Sequence, residues 1–147
     1  MKLRPRTLIL LAVIVIGALG LSGCGNDEEH TESMSMLPDF AVSAPATVQQ
    51  AYQFAITHPD ILAYQPCYCG CGAMGHTSNL NCYIREIKED GTILFDNHAV
   101  GCGICVDITQ DVMRLTSEGM SQPDIRAYVD NKYRPFGPST DTPYPQA

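Results

Sequence analysis

Pro66-Cys67-Tyr68-Cys69-Gly70-Cys71-Gly72 opens a stretch of forty positions that runs through His76 and Cys82 to His98 and Cys102-Gly103-Ile104-Cys105. Six of the seven cysteines of the chain lie in it, so the order of this small protein depends on what their sulfurs do. Cys67, Cys69 and Cys71 stand at alternate positions and reach one common point only if the backbone turns sharply, which Gly70, Gly72 and Gly75 permit. Soft-metal ligation and sulfur crosslinking both follow from such a cluster.

On the N-terminal side, Lys2, Arg4 and Arg6 precede an apolar run from Leu8 to Leu19 and then Leu21-Ser22-Gly23-Cys24. A charged start, a short apolar run and small residues before a cleavage site make an export signal, and a run of that length is short for a spanning helix. Leu21 to Cys24 resembles the lipobox of bacterial lipoproteins, which implies that residues 1–23 are removed and that Cys24 is lipidated. The expected location is the extracytoplasmic face of a bacterial membrane, with the membrane a partner through the lipid on Cys24. Residues 24–42, polar and acidic at first, read as a flexible tether. His30, Met34 and Met36 in it offer copper-type donors, but a solvated linker is the default reading.

Cleavage also changes the charge. Three of nine basic residues leave with the signal and none of the sixteen acidic ones do, so the mature chain carries 6 − 16 = −10. A surface that acidic repels phosphate backbones, and nucleic acid is not an expected partner.

Working outward through the domain, Val48, Ala51, Tyr52, Ala55 and Ile56 give one apolar helical face, started by Ser43 as N-cap and Pro45 and ended at Pro59. His58 lies in the last turn of that helix, where an imidazole interacts favourably with the C-terminus. Cys82 to Ile87 and Thr92 to Phe95 flank Lys88-Glu89-Asp90-Gly91, a β-hairpin signal. Gly103 to Glu118 reads as a second helix with Ile104, Ile108, Val112 and Leu115 on one face and Gly119 as its stop. Ser121-Gln122-Pro123-Asp124 starts a third, whose apolar face is Ile125, Tyr128, Val129 and Tyr133. The expected fold class is α+β: a small, mainly helical domain over residues 43–134, with about three helices, one hairpin and a Cys-rich loop. Residues 135–147, rich in proline, read as an extended, poorly ordered tail.

Export favours disulfides, since an even set of six cysteines remains once Cys24 is set aside. The alternate spacing of Cys67, Cys69 and Cys71 favours a soft ion, copper or zinc, because Cys-x-Cys chelates it while three distant bridges from adjacent positions would crowd. Two sulfurs from the loop and two from Cys102/Cys105 complete a four-thiolate site, with Cys82, His76 and His98 as extra or alternative ligands. Cys102 and Cys105 open a helix, whose partial positive charge lowers a thiol pKa, so the pair also suits thiol redox chemistry. Asp107 and Asp111 read as a dipole-favourable charge and a solvated face. No phosphate loop, nucleophile elbow or zinc-protease histidine pair is present in the sequence.

Pro66 to Cys71, with Gly75-His76-Thr77-Ser78-Asn79, Cys82, His98-Ala99 and Gly101 to Cys105, resembles the PCYCGC-motif proteins of bacteria, from about Val48 to Tyr133. The resemblance implies an exported, often lipidated protein of uncharacterised function. Met113 to Tyr133 is more weakly similar to the helical pair of the cytochrome c maturation thiol oxidoreductases, although there the CxxC lies between the helices. The expected function is a non-enzymatic, membrane-anchored metal-binding protein, for copper handling or a structural zinc. The alternatives are a thiol-disulfide redox protein using Cys102/Cys105 and a disulfide-stabilised binding module. An exported metalloprotein or thiol protein is the expected partner.

Overall fold

The computed structural model describes residues 36–146. The signal-like run, Cys24, His30 and Met34 lie outside the described residues. Three helices of several turns carry the domain: α2 (Ala46–Thr57), α4 (Gly103–Ser117) and α5 (Gln122–Tyr133). Two single turns, α1 (Asp39–Val42) and α3 (Pro59–Leu62), flank α2. One antiparallel hairpin joins β1 (Ile84–Ile87) to β2 (Ile93–Phe95), so the domain is α+β. Short 3₁₀ turns at Cys71–Met74, Asn79–Cys82 and His98–Gly101 punctuate the Cys-rich stretch.

The helices form where the apolar period requires a buried face. Ala51, Tyr52 and Ala55 of α2 meet Ile108, Val112 and Leu115 of α4, and Ile125, Val129 and Tyr133 of α5 close the other side, all fully or almost fully buried. Burying each large aliphatic side chain in such a core stabilises by about 1.5–3 kcal/mol. At the start of α5 the Ser121 hydroxyl accepts from the Asp124 N–H and donates to its carboxylate, as a capping pair should. Ser43, in contrast, does not cap α2. It ends α1, and Pro45 takes the cap position, its ring holding φ at −53°. Gln49 Nε2 donates to the carbonyls of Val42 and Ala44 instead, tying the two turns together.

The hairpin pairs Ile84 with Phe95 and Ile87 with Ile93, with a bulge between Ile84 and Glu86. Two strands have too little buried surface to stand alone, and this pair leans on α2 through Tyr83. The Tyr83 ring packs edge-on against Tyr52, with centroids 5.0 Å apart.

Both ends of the domain are more ordered than their composition suggests. Leu37 and Ala41, inside the segment expected to be tether, are buried against the core. The proline-rich segment after Tyr133 is extended, yet it is docked: Thr140 and Thr142 are buried, and Arg126 donates to the carbonyls of Thr142 and Pro143. Prolines withdraw backbone donors, but the threonine hydroxyls and free carbonyls of an extended chain still satisfy a neighbour that presents the complementary groups.

Candidate metal centre

Cys67 sits in an extended segment between Gln65 and Tyr68, pinned from two directions. Its N–H donates to Thr140 Oγ1 and its carbonyl accepts from the Thr140 N–H, each at 2.9 Å. Just upstream, the carbonyl of Gln65 accepts from the Asn79 N–H at 2.7 Å. Gly70 and Gly75 bracket the 3₁₀ turn of Cys71 with φ of 85° and 90°, a region closed to most L-residues. These two glycines make the sharp reversal that lets Cys67, Cys69 and Cys71 share one side of the loop, whereas Gly72 lies inside the turn.

Cys82 and Cys105 arrive from the other side, held by a buried polar network that sequence reasoning missed. The Cys105 carbonyl accepts from Tyr83 Oη at 2.9 Å and from Asn79 Nδ2 at 3.2 Å. Thr109 Oγ1 sits 2.7 Å from Tyr83 Oη and donates to Asn79 Oδ1 at 2.7 Å. Every member is buried, so each hydrogen bond is made in a low-dielectric setting where a missing partner would cost most.

All eight expected donors meet. Cys67 Sγ lies 3.4 Å from the sulfurs of Cys69 and Cys105, and Cys105 Sγ lies 3.4 Å from Cys82 and 2.8 Å from Cys102. Cys71 and Cys82 stand 3.8 Å apart, and His76 Nδ1 is 3.6 Å from Cys82. His98 Nε2 is 3.4 Å from Cys69. Metal–sulfur bonds of about 2.3 Å around a tetrahedral ion separate its sulfurs by about 3.8 Å, which is the Cys71–Cys82 spacing, and the 3.4 Å contacts lie somewhat inside it. The six cysteines among the described residues are free thiols.

The donor atoms of Cys69, His98, Cys102 and Cys105 all lie within 4.8 Å of one another, and so do those of Cys71, His76 and Cys82. Three sulfurs and an imidazole thus gather around the start of α4, beside the expected thiolates, of which Cys67, Cys69 and Cys105 lie within 3.6 Å of one another. The 3₁₀ turn of His98–Gly101 delivers the histidine beside Cys69. Cys82, expected as an accessory, is central. His58 plays no part: its ring stacks on Phe54 and its Nδ1 pairs with Thr57.

The thiols influence one another strongly. Cys67 is pushed well down, because Cys105, Cys71 and Cys82 hydrogen-bond to its sulfur and stabilise the thiolate. Cys105 is pushed up, first by its bond to Cys67 and then by burial, and Cys82 is raised by its bonds to Cys105 and Cys67. Cys69 is raised by burial and the Cys67 charge, and Cys71 chiefly by its bond to Cys67. The helix N-terminus was expected to lower Cys105, but burial and the neighbouring thiolate outweigh it. Binding a cation here would displace the remaining thiol protons.

Asp96 is the other residue the sequence did not single out. Its Oδ1 accepts from the His98 N–H at 2.8 Å, and its Oδ2 faces His76 Nε2 at 3.9 Å, on the ring edge opposite Cys82. A carboxylate behind an imidazole helps to orient the ring as a ligand. Asp96 is itself held, since its carbonyl accepts from Tyr52 Oη at 2.7 Å and its N–H donates to the Tyr83 carbonyl.

The model of a family described as proteins of unknown function with a PCYCGC motif matches residues 13–145. The chain belongs to this family. The PCYCGC motif is thus the loop Pro66 to Cys71 that supplies Cys67, Cys69 and Cys71 to the cluster. No curated protein and no solved structure matches the chain. In this PCYCGC protein the CxxC opens α4, ahead of the α4–α5 pair rather than between its helices.

Proposed function

We propose that the protein is a membrane-anchored, extracytoplasmic metal-binding protein that holds a soft cation on its Cys/His cluster. The observation that carries this reading is the convergence of Cys69, His98, Cys102 and Cys105 within 4.8 Å, a complete ligand set for copper(I) or zinc. Thiolate and imidazole select these ions over the hard cations that prefer carboxylates. Copper handling is the favoured version, with a structural zinc the other: Cys69, His98 and Cys102 are only partly buried, so an ion there is open to hand-over to an exported metalloprotein. The Leu-Ser-Gly-Cys24 sequence supports anchoring by lipid on Cys24, and the acidic surface is compatible with collecting cations.

The test is elemental analysis of the full chain purified in detergent under reductant, beside a free-thiol titration. At least one copper or zinc per chain, with free thiols lost on loading, is expected. Substoichiometric metal, with no uptake of added copper(I) or zinc, overturns the reading. Anchoring is tested by membrane fractionation, from which the Cys24→Ala variant should be lost.

One contact favours a second reading. The sulfurs of Cys102 and Cys105 approach to 2.8 Å, with Cys102 partly exposed and Cys105 buried, the order expected of an attacking and a resolving thiol. In that case the pair passes two electrons and two protons to the disulfide of an exported protein, which becomes a dithiol while Cys102 and Cys105 form a disulfide. Cys105→Ser would then trap a mixed disulfide on Cys102. A potential below about −300 mV and no trapped partner would mark an inert pair.

A further inference from the structure

Eight donors are more than one ion can use. A tetrahedral ion takes four, and copper(I) takes fewer, yet six sulfurs and two imidazoles meet in one cluster. They divide evenly. Cys69, His98, Cys102 and Cys105 form one complete set. Of the remaining four, Cys71, His76 and Cys82 are mutually within 4.8 Å, and the Cys67 sulfur lies within the same distance of both Cys71 and Cys82. Each set is three sulfurs and one imidazole.

The sets also touch. Cys67 of one is 3.4 Å from Cys69 and from Cys105 of the other, and Cys105 is 3.4 Å from Cys82. Cys69 and Cys82 each meet one sulfur of the other set at 3.4 Å, whereas Cys67 and Cys105 each meet two at that distance, and both are buried. A single divalent ion would leave most of the negative charge of six thiolates uncompensated in a largely buried place, and a second ion halves the excess. Thiolates carry the lone pairs to bind two ions at once, which turns their crowding from repulsion into shared ligation.

Resting on the metal-binding reading above, we propose that the centre is dinuclear. One ion takes Cys69, His98, Cys102 and Cys105, the second takes Cys71, His76, Cys82 and Cys67, and the thiolates of Cys67 and Cys105 are shared between the two, which gives each ion five donors, one more than the tetrahedral four. The sites differ in access. The first has three partly exposed ligands, whereas in the second only His76 reaches the surface, with its side chain 10% exposed. The first is the exchangeable position and the second the structural one.

The test is titration of the reduced full chain in detergent with cobalt(II), followed by native mass spectrometry, thiolate charge-transfer absorbance and electron paramagnetic resonance. Saturation at two ions per chain is expected, with a resonance intensity per cobalt well below that of the half-loaded protein, because a shared sulfur couples the two spins. His98→Ala and His76→Ala, checked for native circular dichroism, should each lose one ion of the two. In the wild type a chelator should remove one ion at least tenfold faster than the other. Saturation at one ion overturns the dinuclear centre and leaves the metal-binding reading standing, while no uptake overturns both. Two ions with additive, uncoupled resonances overturn the shared thiolates.

Discussion

Cys67 and Thr140, 73 positions apart in the chain, hold each other by a reciprocal pair of hydrogen bonds, Cys67 N–H to Thr140 Oγ1 and Thr140 N–H to the Cys67 carbonyl, each at 2.9 Å. The C-terminal segment thus fixes the backbone of the first sulfur in the motif. Thr140 Oγ1 also meets Thr142 Oγ1, which donates to the Thr77 carbonyl at 2.6 Å, so the same segment braces both ends of the loop. Thr140→Val keeps the shape but leaves the buried Cys67 N–H without an acceptor, at a cost of about 1–3 kcal/mol. Urea unfolding should show that loss, and metal affinity should fall with it. Unchanged stability and affinity in Thr140→Val would mean the segment merely rests on the loop.

This brace also shows what the sequence could and could not reveal. The helices and hairpin follow from local patterns: Ile108, Val112 and Leu115 repeat at helical spacing, Ser121 caps its own helix, and Asp90-Gly91 turns its own hairpin. The eight donors of the cluster were legible as candidates because sulfur and imidazole carry their chemistry in the residue type. Thr140, Asn79, Thr109 and Asp96 were not, because hydroxyls, amides and carboxylates occur everywhere in solvent and only a distant partner gives them meaning. Composition misled at the tail for the same reason, since four prolines describe an extended chain and say nothing of what it lies against.

The network around the Cys105 carbonyl yields a second prediction. Asn79 accepts from Thr109 and donates to that carbonyl, both within the core. Asn79→Ala removes one donor from the Cys105 carbonyl and the acceptor of the Thr109 hydroxyl, which keeps only its longer 3.1 Å approach to that carbonyl, and empties a buried site, so a loss of about 2 kcal/mol is expected. Tyr83→Phe leaves Asn79 and Thr109 paired with each other and should cost less, about 1 kcal/mol. Thermal or urea unfolding of both variants checks the order, and the reverse order would place the weight on the tyrosine.

Asp111 makes stability depend on pH. It was expected on a solvated face, but its carboxylate accepts from Tyr133 Oη at 2.7 Å and pairs with Lys132 and Arg114, joining α4 to α5. Burial pushes its carboxyl up, but the bonds from Lys132, Tyr133 and Arg114 outweigh this and hold it below the ordinary value. A carboxyl lowered by folding stabilises the protein above its unfolded pKa of about 3.9, and that contribution is lost as pH falls through the folded value. Lys132 and Arg114 are half exposed, so solvent screening limits the contribution to about 1 kcal/mol. Asp111→Asn should therefore be less stable than the wild type at pH 7, and the difference should shrink below about pH 4. An equal difference at both pH values would assign the effect to packing.

Asp96 touches both histidines without being a ligand itself. It accepts from the His98 N–H and faces His76 Nε2, while Tyr52 and Tyr83 fix its own backbone. Removing a carboxylate behind a ligating imidazole typically costs about 10- to 100-fold in metal affinity. Asp96→Asn retains an acceptor for the His98 N–H but loses the negative charge behind His76, so affinity should fall toward the lower end of that range with the fold unchanged. Asp96→Ala loses both and should fall further. Competition against a chelator of known strength measures the two affinities, and circular dichroism confirms the fold. If Asp96→Ala binds metal as tightly as the wild type, the carboxylate serves only to cap the turn at His98.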